Sequence, residues 1–487
     1  MKHTIRRAAV LAAVFLFALE AVAFAATNVK AVRFHSGTDH DRVVFDLSAM
    51  PRYTALLSKD GRTLTLDFAD TGAANLKKTP IHGKRIESAT YDVQQGHVIV
   101  TLKLRAGMTY KAQKLGNPAR LFIDVVEGAQ PAAKNDKNVS GKVIGGASID
   151  GDYVEELAPG LTRHTYVYWD DKGKLSVWLV EADKDKYALS FVLGKGKIPG
   201  RETVSRLSDR TNAAVAINAS YFAANGDLIG VEKLDGRIVG TTYYKRSAMG
   251  IRADGSTVFG QISYDGRVTL GGVSQPVAGV DCERGADSLV LYNRAYDKTT
   301  GTNEYGQEYT VQNGRVTAIR TNDSPIPADG VVVSVHGTAA DAFRKVKVGD
   351  KAAVVETIEP MWQDVPTVVG VGPRLVANGR VNVTADEEEF PSDIRVGRAP
   401  RSAVGVTAAG NYLLAVVDGR QAHSVGLTLT AWAELLKKFG AKDAINLDGG
   451  GSSELVIGGE IQNSPSDGAE RPVGSALILT QKESALP

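Results

Sequence analysis

The residues with the most evident chemical potential are Asn446-Leu447-Asp448-Gly449-Gly450-Gly451-Ser452-Ser453-Glu454. An acid precedes three bare backbone units, two hydroxyls and a second acid. Apolar Ala444-Ile445 before it and Leu455-Val456-Ile457 after it read as buried strands flanking a turn. Three glycines cost backbone entropy, so the turn needs positive φ angles or room for a group to approach the main chain. Successive amides in such a turn can hold an anion, with Asp448 beside them. A tight hairpin with glycines chosen for φ alone is the plainer alternative.

Other chemistry-bearing residues stand at predicted strand ends. Asn218 closes the apolar run 213–217 and is followed by Ala219-Ser220-Tyr221-Phe222. There an amide could hold hydroxyls while Tyr221 stacks on a sugar face; an Asn-capped turn with both aromatics in the core is the alternative. Asp418-Gly419-Arg420 ends the apolar run 412–417, and Arg401 begins another at 401–406. A carboxylate and guanidinium at one strand end suit an anionic sugar, though Asp-Gly is also an ordinary turn. No Cys/His cluster and no His-Glu-x-x-His helix occurs, so no transition-metal site is expected. Calcium or magnesium between Asp448 and Asp418 is the remaining metal option, because hard cations prefer oxygen ligands. The run Asp386-Glu387-Glu388-Glu389 lacks calcium-loop spacing and reads as a solvated loop.

The elements that position these residues belong to a predicted α+β, β-rich domain over 142–480. Trp432, Leu435, Leu436 and Phe439 fall at i, i+3, i+4 and i+7, one apolar helical stripe. Thr428 or Thr430 can cap its start and Gly440 its end. A second, short helix is expected at 203–208. Asp-Gly and Asn-Gly turns predict hairpins around Asp235-Gly236, Asp254-Gly255, Asp265-Gly266 and Asn313-Gly314.

Residues 27–126 show period-two alternation in short runs: Val32/Phe34, Val43/Phe45/Leu47, Leu64/Leu66/Phe68, Val98 to Leu104 and Leu121/Ile123/Val125. Turn signals separate them, which predicts an N-terminal all-β sandwich. Here "VKAVRFHSGTDHDRVVFDLS", "YTALLSKDGRTLTLDF" and "RLFIDV" resemble the AMIN domain, a small β module of envelope proteins. The resemblance implies attachment to peptidoglycan or another wall polymer. Residues 127–141 are polar and small, a flexible linker.

At the N-terminus, Lys2, Arg6 and Arg7 precede an apolar run at 8–19 and Ala23-Phe24-Ala25, a small-x-small cleavage site. This is the pattern of a secretory signal peptide over 1–25, and the run falls short of a membrane span. Without it, the 57 bases lose three and the 55 acids lose one, leaving 54 of each. A neutral chain has no electrostatic footprint for nucleic acid. The single Cys282 excludes an intrachain disulfide. The expected location is the periplasm or cell wall, with no transmembrane segment in the mature chain.

Over 203–480, "AAVAINASYF", "VGVGPRLVANG", "RSAVGV", "LLAVVDGRQAHSVGLTLTAWAELLKKFGAKDAINLDGGGSSELVIGGEIQN" and "ERPVGSALIL" resemble the phosphodiester glycosidase family in order and spacing. Ala219-Ser220 departs from the glycines expected before the Tyr-Phe pair. The resemblance implies hydrolysis of a sugar-1-phosphodiester, N-acetylglucosamine-1-phosphate-like, in cell-envelope polysaccharide or exopolysaccharide, without a cofactor. Asp448 and Asp418 are then the first candidates for the catalytic carboxylates, with Glu454 in reserve. Arg401, Arg420, Arg471 and the amides of Gly449, Gly450 and Gly451 would hold the phosphate, while Asn218, Tyr221, Asn446, Ser452 and Ser453 would bind the sugar. Two alternatives stay open: a phosphodiesterase cleaving P–O, and a non-catalytic protein that binds envelope glycan.

Overall fold

A computed structural model describes residues 27–128 and 152–482, apart from 50, 52, 59–60, 70, 74–75, 77–79, 95–96, 116–118 and 241–244. The signal-peptide pattern and most of the linker lie outside these residues. The chain divides into two compact units, 1–136 and 137–487. No helix among the described residues is long and apolar enough to cross a membrane.

In the first unit the alternating runs form two sheets. One has the order Thr71–Gly72, Thr27–Ser36, His40–Leu47, Arg120–Glu127, Met108–Leu115; the other runs Tyr53–Leu57, Thr63–Ala69, His97–Leu104, Ile86–Gln94. Inward residues of both sheets share one core: Val43, Phe45 and Ile123 from the first, Leu64, Leu66, Phe68 and Val100 from the second. Phe45 and Phe68 meet across it with ring centroids 4.8 Å apart. Period-two alternation therefore yields two one-sided sheets joined at their apolar faces.

In the second unit an eight-stranded sheet runs Asp152–Ala158, Leu161–Asp170, Gly173–Ala182, Tyr412–Val417, Arg401–Thr407, Ala441–Asn446, Arg374–Ala377, Arg380–Val381. A five-stranded sheet runs Tyr187–Leu193, Ser475–Gln481, Val215–Asn218, Leu455–Ile457, Glu460–Ile461. Val180, Val404, Leu414 and Ile445 from the first pack on Leu189, Val215, Ile217, Leu455 and Leu477 from the second. Helices cover the outer faces. Leu429–Lys438 buries Trp432, Leu435 and Leu436 on Leu375, Ala403, Leu413 and Ala444. Val204–Thr211 buries Val204 and Leu207 on Ala216, Val456 and Ile478. These two sheets and two helices stack as four layers, helix–sheet–sheet–helix, and further sheets over 231–370 build a core of their own. Thr428 Oγ1 caps the longer helix from Ala431 N at 3.2 Å, and Gly440 follows its end at φ 86°.

Three of the four predicted hairpins form, at 234–237, 251–257 and 312–315. The fourth does not. Asp265-Gly266 opens the strand Asp265–Leu270, which pairs with Val273–Pro276 and Ala352–Thr357 instead of with Thr257–Ile262. The Gly271-Gly272 pair, both at positive φ, makes the turn actually used.

Candidate active site

Strand ends from both inner sheets converge on the glycine turn. Ala441–Asn446 leads into it from the eight-stranded sheet and Leu455–Ile457 leaves it into the five-stranded one. The turn therefore bridges the two sheets rather than closing a hairpin within one. Gly450–Ser452 is a single 3₁₀ turn with Gly450 at φ 62°. Gly449 N donates to Asp448 Oδ1 at 2.9 Å and Gly450 N to Pro400 O at 3.0 Å. Those two amides are spent on holding the turn, so a three-amide anion cradle is not what it presents.

It presents guanidinium groups instead. A Cβ on Gly450 would sit 3.1 Å from Arg420 Nη1, and one on Gly451 would sit 2.2 Å from Arg471 Nη2. The glycines thus serve both expected purposes, positive φ at Gly450 and close approach at Gly451. Arg471 donates from Nη1 to Ser452 Oγ at 3.3 Å and pairs with Asp467 at 2.6 Å. The Ser452 hydroxyl lies near enough to the Asp448 carboxyl to lower its pKa. Arg420 is exposed and itself sits at φ 59°, a conformation uncommon for a side-chain-bearing residue.

Of the three carboxylates singled out in the sequence, Asp448 alone keeps solvent exposure. Burial pushes its pKa up to about 6, against the opposing pull of Ser452, the Gly449 amide and the Arg471 charge. Asp448 is thereby poised to change charge near neutrality. The Tyr221 hydroxyl accepts from Asn446 Nδ2 at 3.1 Å; burial first, then the Asp448 charge, raise its pKa. Tyr221 and Asn446 are thereby brought beside Asp448. Asn446 is 1 % exposed, and its Oδ1 is buried without a hydrogen-bond partner.

The remaining candidates hold the frame. Asp418 is 0 % exposed and accepts from His423 Nε2 (2.8 Å), Asn463 Nδ2 (3.0 Å) and Ser464 N (3.1 Å). Enclosed in this way, it offers no exposed oxygen to a substrate. Its role is to fasten Asn463, which also donates to Ser453 O at 2.9 Å. Arg401 is equally occupied: Nε donates to Leu427 O, and Nη2 to Ile394 O and Gly397 O. Asn218, fully buried, clamps the two sheets, donating to Asp448 O at 2.6 Å and accepting from Ser402 Oγ and Glu454 N. Ser453 Oγ is buried, and the Glu454 side chain meets Glu470 instead of Asp448.

Sequence reasoning missed Arg246 and Glu388. Arg246 stacks on Phe390 with its guanidinium carbon 3.9 Å from the ring centre, and Phe390 lies 5.8 Å from Tyr221. Glu388, read as part of a solvated acidic loop, is 1 % exposed and accepts from Ser247 N at 2.9 Å, Ser247 Oγ at 2.6 Å and Thr384 Oγ1. Only the apolar Phe390 after the acidic run hinted that this segment turns inward. A cavity of about 450 Å³ lined by Lys233, Asn293, Arg294 and Glu356 includes none of the residues around Asp448. Among the described residues no group of three or more His, Cys, Asp or Glu side chains is arranged to hold a metal ion.

Residues 305–480 match the family model described as phosphodiester glycosidase, a span that holds the glycine turn, Asp418, Arg420 and Arg471 but not Asn218 or Tyr221. A 124-residue stretch is 45 % identical to the N-acetylglucosamine-1-phosphodiester alpha-N-acetylglucosaminidase of Bos taurus, covering 23 % of this chain and 22 % of that protein. The Mus musculus protein of the same name is 30 % identical over 173 residues, 32 % of this chain and 33 % of that protein. The matches thus span a third or less of these curated relatives. A crystal structure of a hypothetical protein from Synechocystis shares the fold with a TM-score of 0.63 at 23 % identity, covering 94 % of this chain and 81 % of that chain. Residues 305–480 carry a domain of the phosphodiester glycosidase family, and it is this domain that supplies Asp448 and the two arginines beside it.

Proposed function

We propose that this chain hydrolyses a sugar-1-phosphodiester at the bond between the anomeric carbon and the phosphate oxygen. The observation that carries the reading is the two guanidinium groups against the turn that bears Asp448, Arg471 bonded to Ser452 and Arg420 beside Gly450. A phosphomonoester is already a stable anion, so its departure needs positive charge more than a proton donor. Arg420 and Arg471 supply that charge. Asp448, ionised above about pH 6, stands where it can assist water or stabilise the oxocarbenium-like centre. Water oxygen bonds to the anomeric carbon, the C–O bond breaks with its electron pair going to the phosphate, and the water proton is passed to solvent. Tyr221, which keeps partial exposure beside Asp448, would orient the sugar.

The substrate class is N-acetylglucosamine-1-phosphate-like, as the names of the mammalian relatives suggest. The sequence pattern at 1–25 and the AMIN-like character of 27–126 support an exported enzyme whose N-terminal unit holds peptidoglycan or another envelope polymer. A flexible tether would then raise the local concentration of substrate. Incubation with a synthetic N-acetylglucosamine-1-phosphodiester tests the activity. Equal amounts of reducing sugar and phosphomonoester are expected. Free sugar phosphate with the other alcohol released would mark P–O cleavage, and no turnover would leave a glycan-binding protein.

A further inference from the structure

Glu454 is 1 % exposed, and its backbone is fixed to Asn218 by two bonds, Asn218 N to Glu454 O at 3.3 Å and Glu454 N to Asn218 Oδ1 at 3.1 Å. Glu470 Oε2 accepts from Ser205 Oγ at 2.7 Å, in the first turn of the helix Val204–Thr211. The second oxygen of each, Glu454 Oε1 and Glu470 Oε1, is buried with no donor. The two carboxyls are each other's hydrogen-bonding neighbours. Two buried acceptors in contact repel unless a proton lies between them. A single proton between the carboxyls would relieve both orphaned oxygens at once.

Their position gives the pair a purpose. Glu470 immediately precedes Arg471, whose guanidinium reaches Ser452 on the glycine turn. On one side of Glu470, Asp467, Gly468 and Ala469 are exposed; on the other, Val473 is strapped to Glu202 by two backbone bonds of 2.9 and 3.0 Å. The Glu470 carboxyl is thus the side-chain anchor next to Arg471 on an otherwise exposed bend.

We propose that Glu454 and Glu470 share one proton and that this carboxyl pair positions Arg471 over the glycine turn, an inference that rests on the reading of Arg471 as a phosphate ligand. Glu454 is then a positioning residue, not the reserve catalytic acid considered from the sequence. The groups facing the pair are few. Glu454 meets Glu470, while Glu470 meets Glu454 and the Thr203 and Ser205 hydroxyls. Burial and then Glu470 push the Glu454 pKa up to about 9; for Glu470, burial opposes but the Glu454, Ser205 and Thr203 bonds prevail and lower it. Loss of the shared proton sets two adjacent negative charges against each other, and the bend carrying Arg471 moves off the turn.

The test is the pH dependence of KM for a synthetic N-acetylglucosamine-1-phosphodiester between pH 7 and 10, with thermal unfolding measured alongside. In the wild type KM rises about tenfold across pH 9, and kcat falls with it because Arg471 also stabilises the departing phosphate. Glu454→Gln, whose amide donates permanently to Glu470, shows the pH 7 value throughout. Glu454→Leu, which cannot donate, shows the raised KM at every pH. An alkaline rise in Glu454→Gln equal to the wild type's, or a wild-type KM in Glu454→Leu, overturns the proposal. If the leucine variant does not fold, the glutamine comparison decides alone. Unfolding separates this proposal from the activity reading. Because the folded Glu454 keeps its proton to about pH 9 while the unfolded one loses it near pH 4, wild-type stability declines relative to Glu454→Gln between those values and runs parallel above. That divergence without any turnover keeps the carboxyl pair and removes the glycosidase; its absence removes the pair.

Discussion

Asp448→Asn will lose on the order of 10³-fold or more in kcat while becoming more stable than the wild type. The loss follows because a neutral amide can neither assist water nor stabilise positive charge at the anomeric carbon. The gain follows from the same burial that tunes the carboxyl. Asp448 ionises at about pH 6 when folded and near pH 4 when unfolded, so the unfolded chain releases its proton first. Stability attributable to this group is therefore intact below about pH 4, falls between pH 4 and 6, and stays low above. Asparagine has no proton to lose and still accepts from Gly449 N, the bond that holds the turn at 2.9 Å. Two pKa units bound the gain near 3 kcal/mol; with the side chain partly solvated, about 1–2 kcal/mol is expected at pH 7. Thermal melts of both proteins at pH 4 and 7 should coincide at the lower pH and separate at the higher. The wild-type kcat/KM should fall as pH drops through about 6, where the carboxylate disappears.

Arg471→Ala will reduce kcat/KM for a sugar-1-phosphodiester by about 10²- to 10³-fold, the scale of losing a preorganised charge on a developing anion. The guanidinium is already oriented by Ser452 and by its ion pair with Asp467, so little reorganisation is needed when phosphate arrives. Arg471→Lys should recover only part of the loss, because a point charge lacks the planar fork. Gly451→Ala supplies an independent check. Its Cβ would crowd both Arg471 Nη2 and the Asp467 carboxylate, so the ion pair must shift without either member being removed, and steady-state kinetics should show a loss in the same direction. Equal kcat/KM for Arg471→Ala and wild type would take the phosphate away from this side of the turn.

Patterns of short range were readable in the sequence, and partners supplied by distant segments were not. The stripe Trp432, Leu435, Leu436 places a helix because burial demands a period near 3.6. Asp448 stands out because three glycines beside an acid cost too much entropy to be incidental. Asp418 carries no such mark. An Asp-Gly-Arg run looks the same whether it opens on a cleft or is enclosed by His423, Asn463 and Ser464, two of which come from about 45 residues away. Arg401 was misjudged for a similar reason, since the carbonyls of Ile394, Gly397 and Leu427 that occupy it leave no trace in side-chain identity. Glu388 shows the converse: a charged run reads as solvated until Ser247 and Thr384 arrive to satisfy one of its members. Arg246 enters the site through Phe390, 144 positions later, and no local spacing could announce that contact.

Hydrolysis in ¹⁸O-enriched water is the most direct test of the central claim, that Asp448 and the arginines around it serve cleavage at the anomeric carbon. Mass spectrometry of the products from a synthetic N-acetylglucosamine-1-phosphodiester should find the heavy oxygen on the sugar and none on the phosphomonoester. Heavy oxygen on the phosphate would contradict the account.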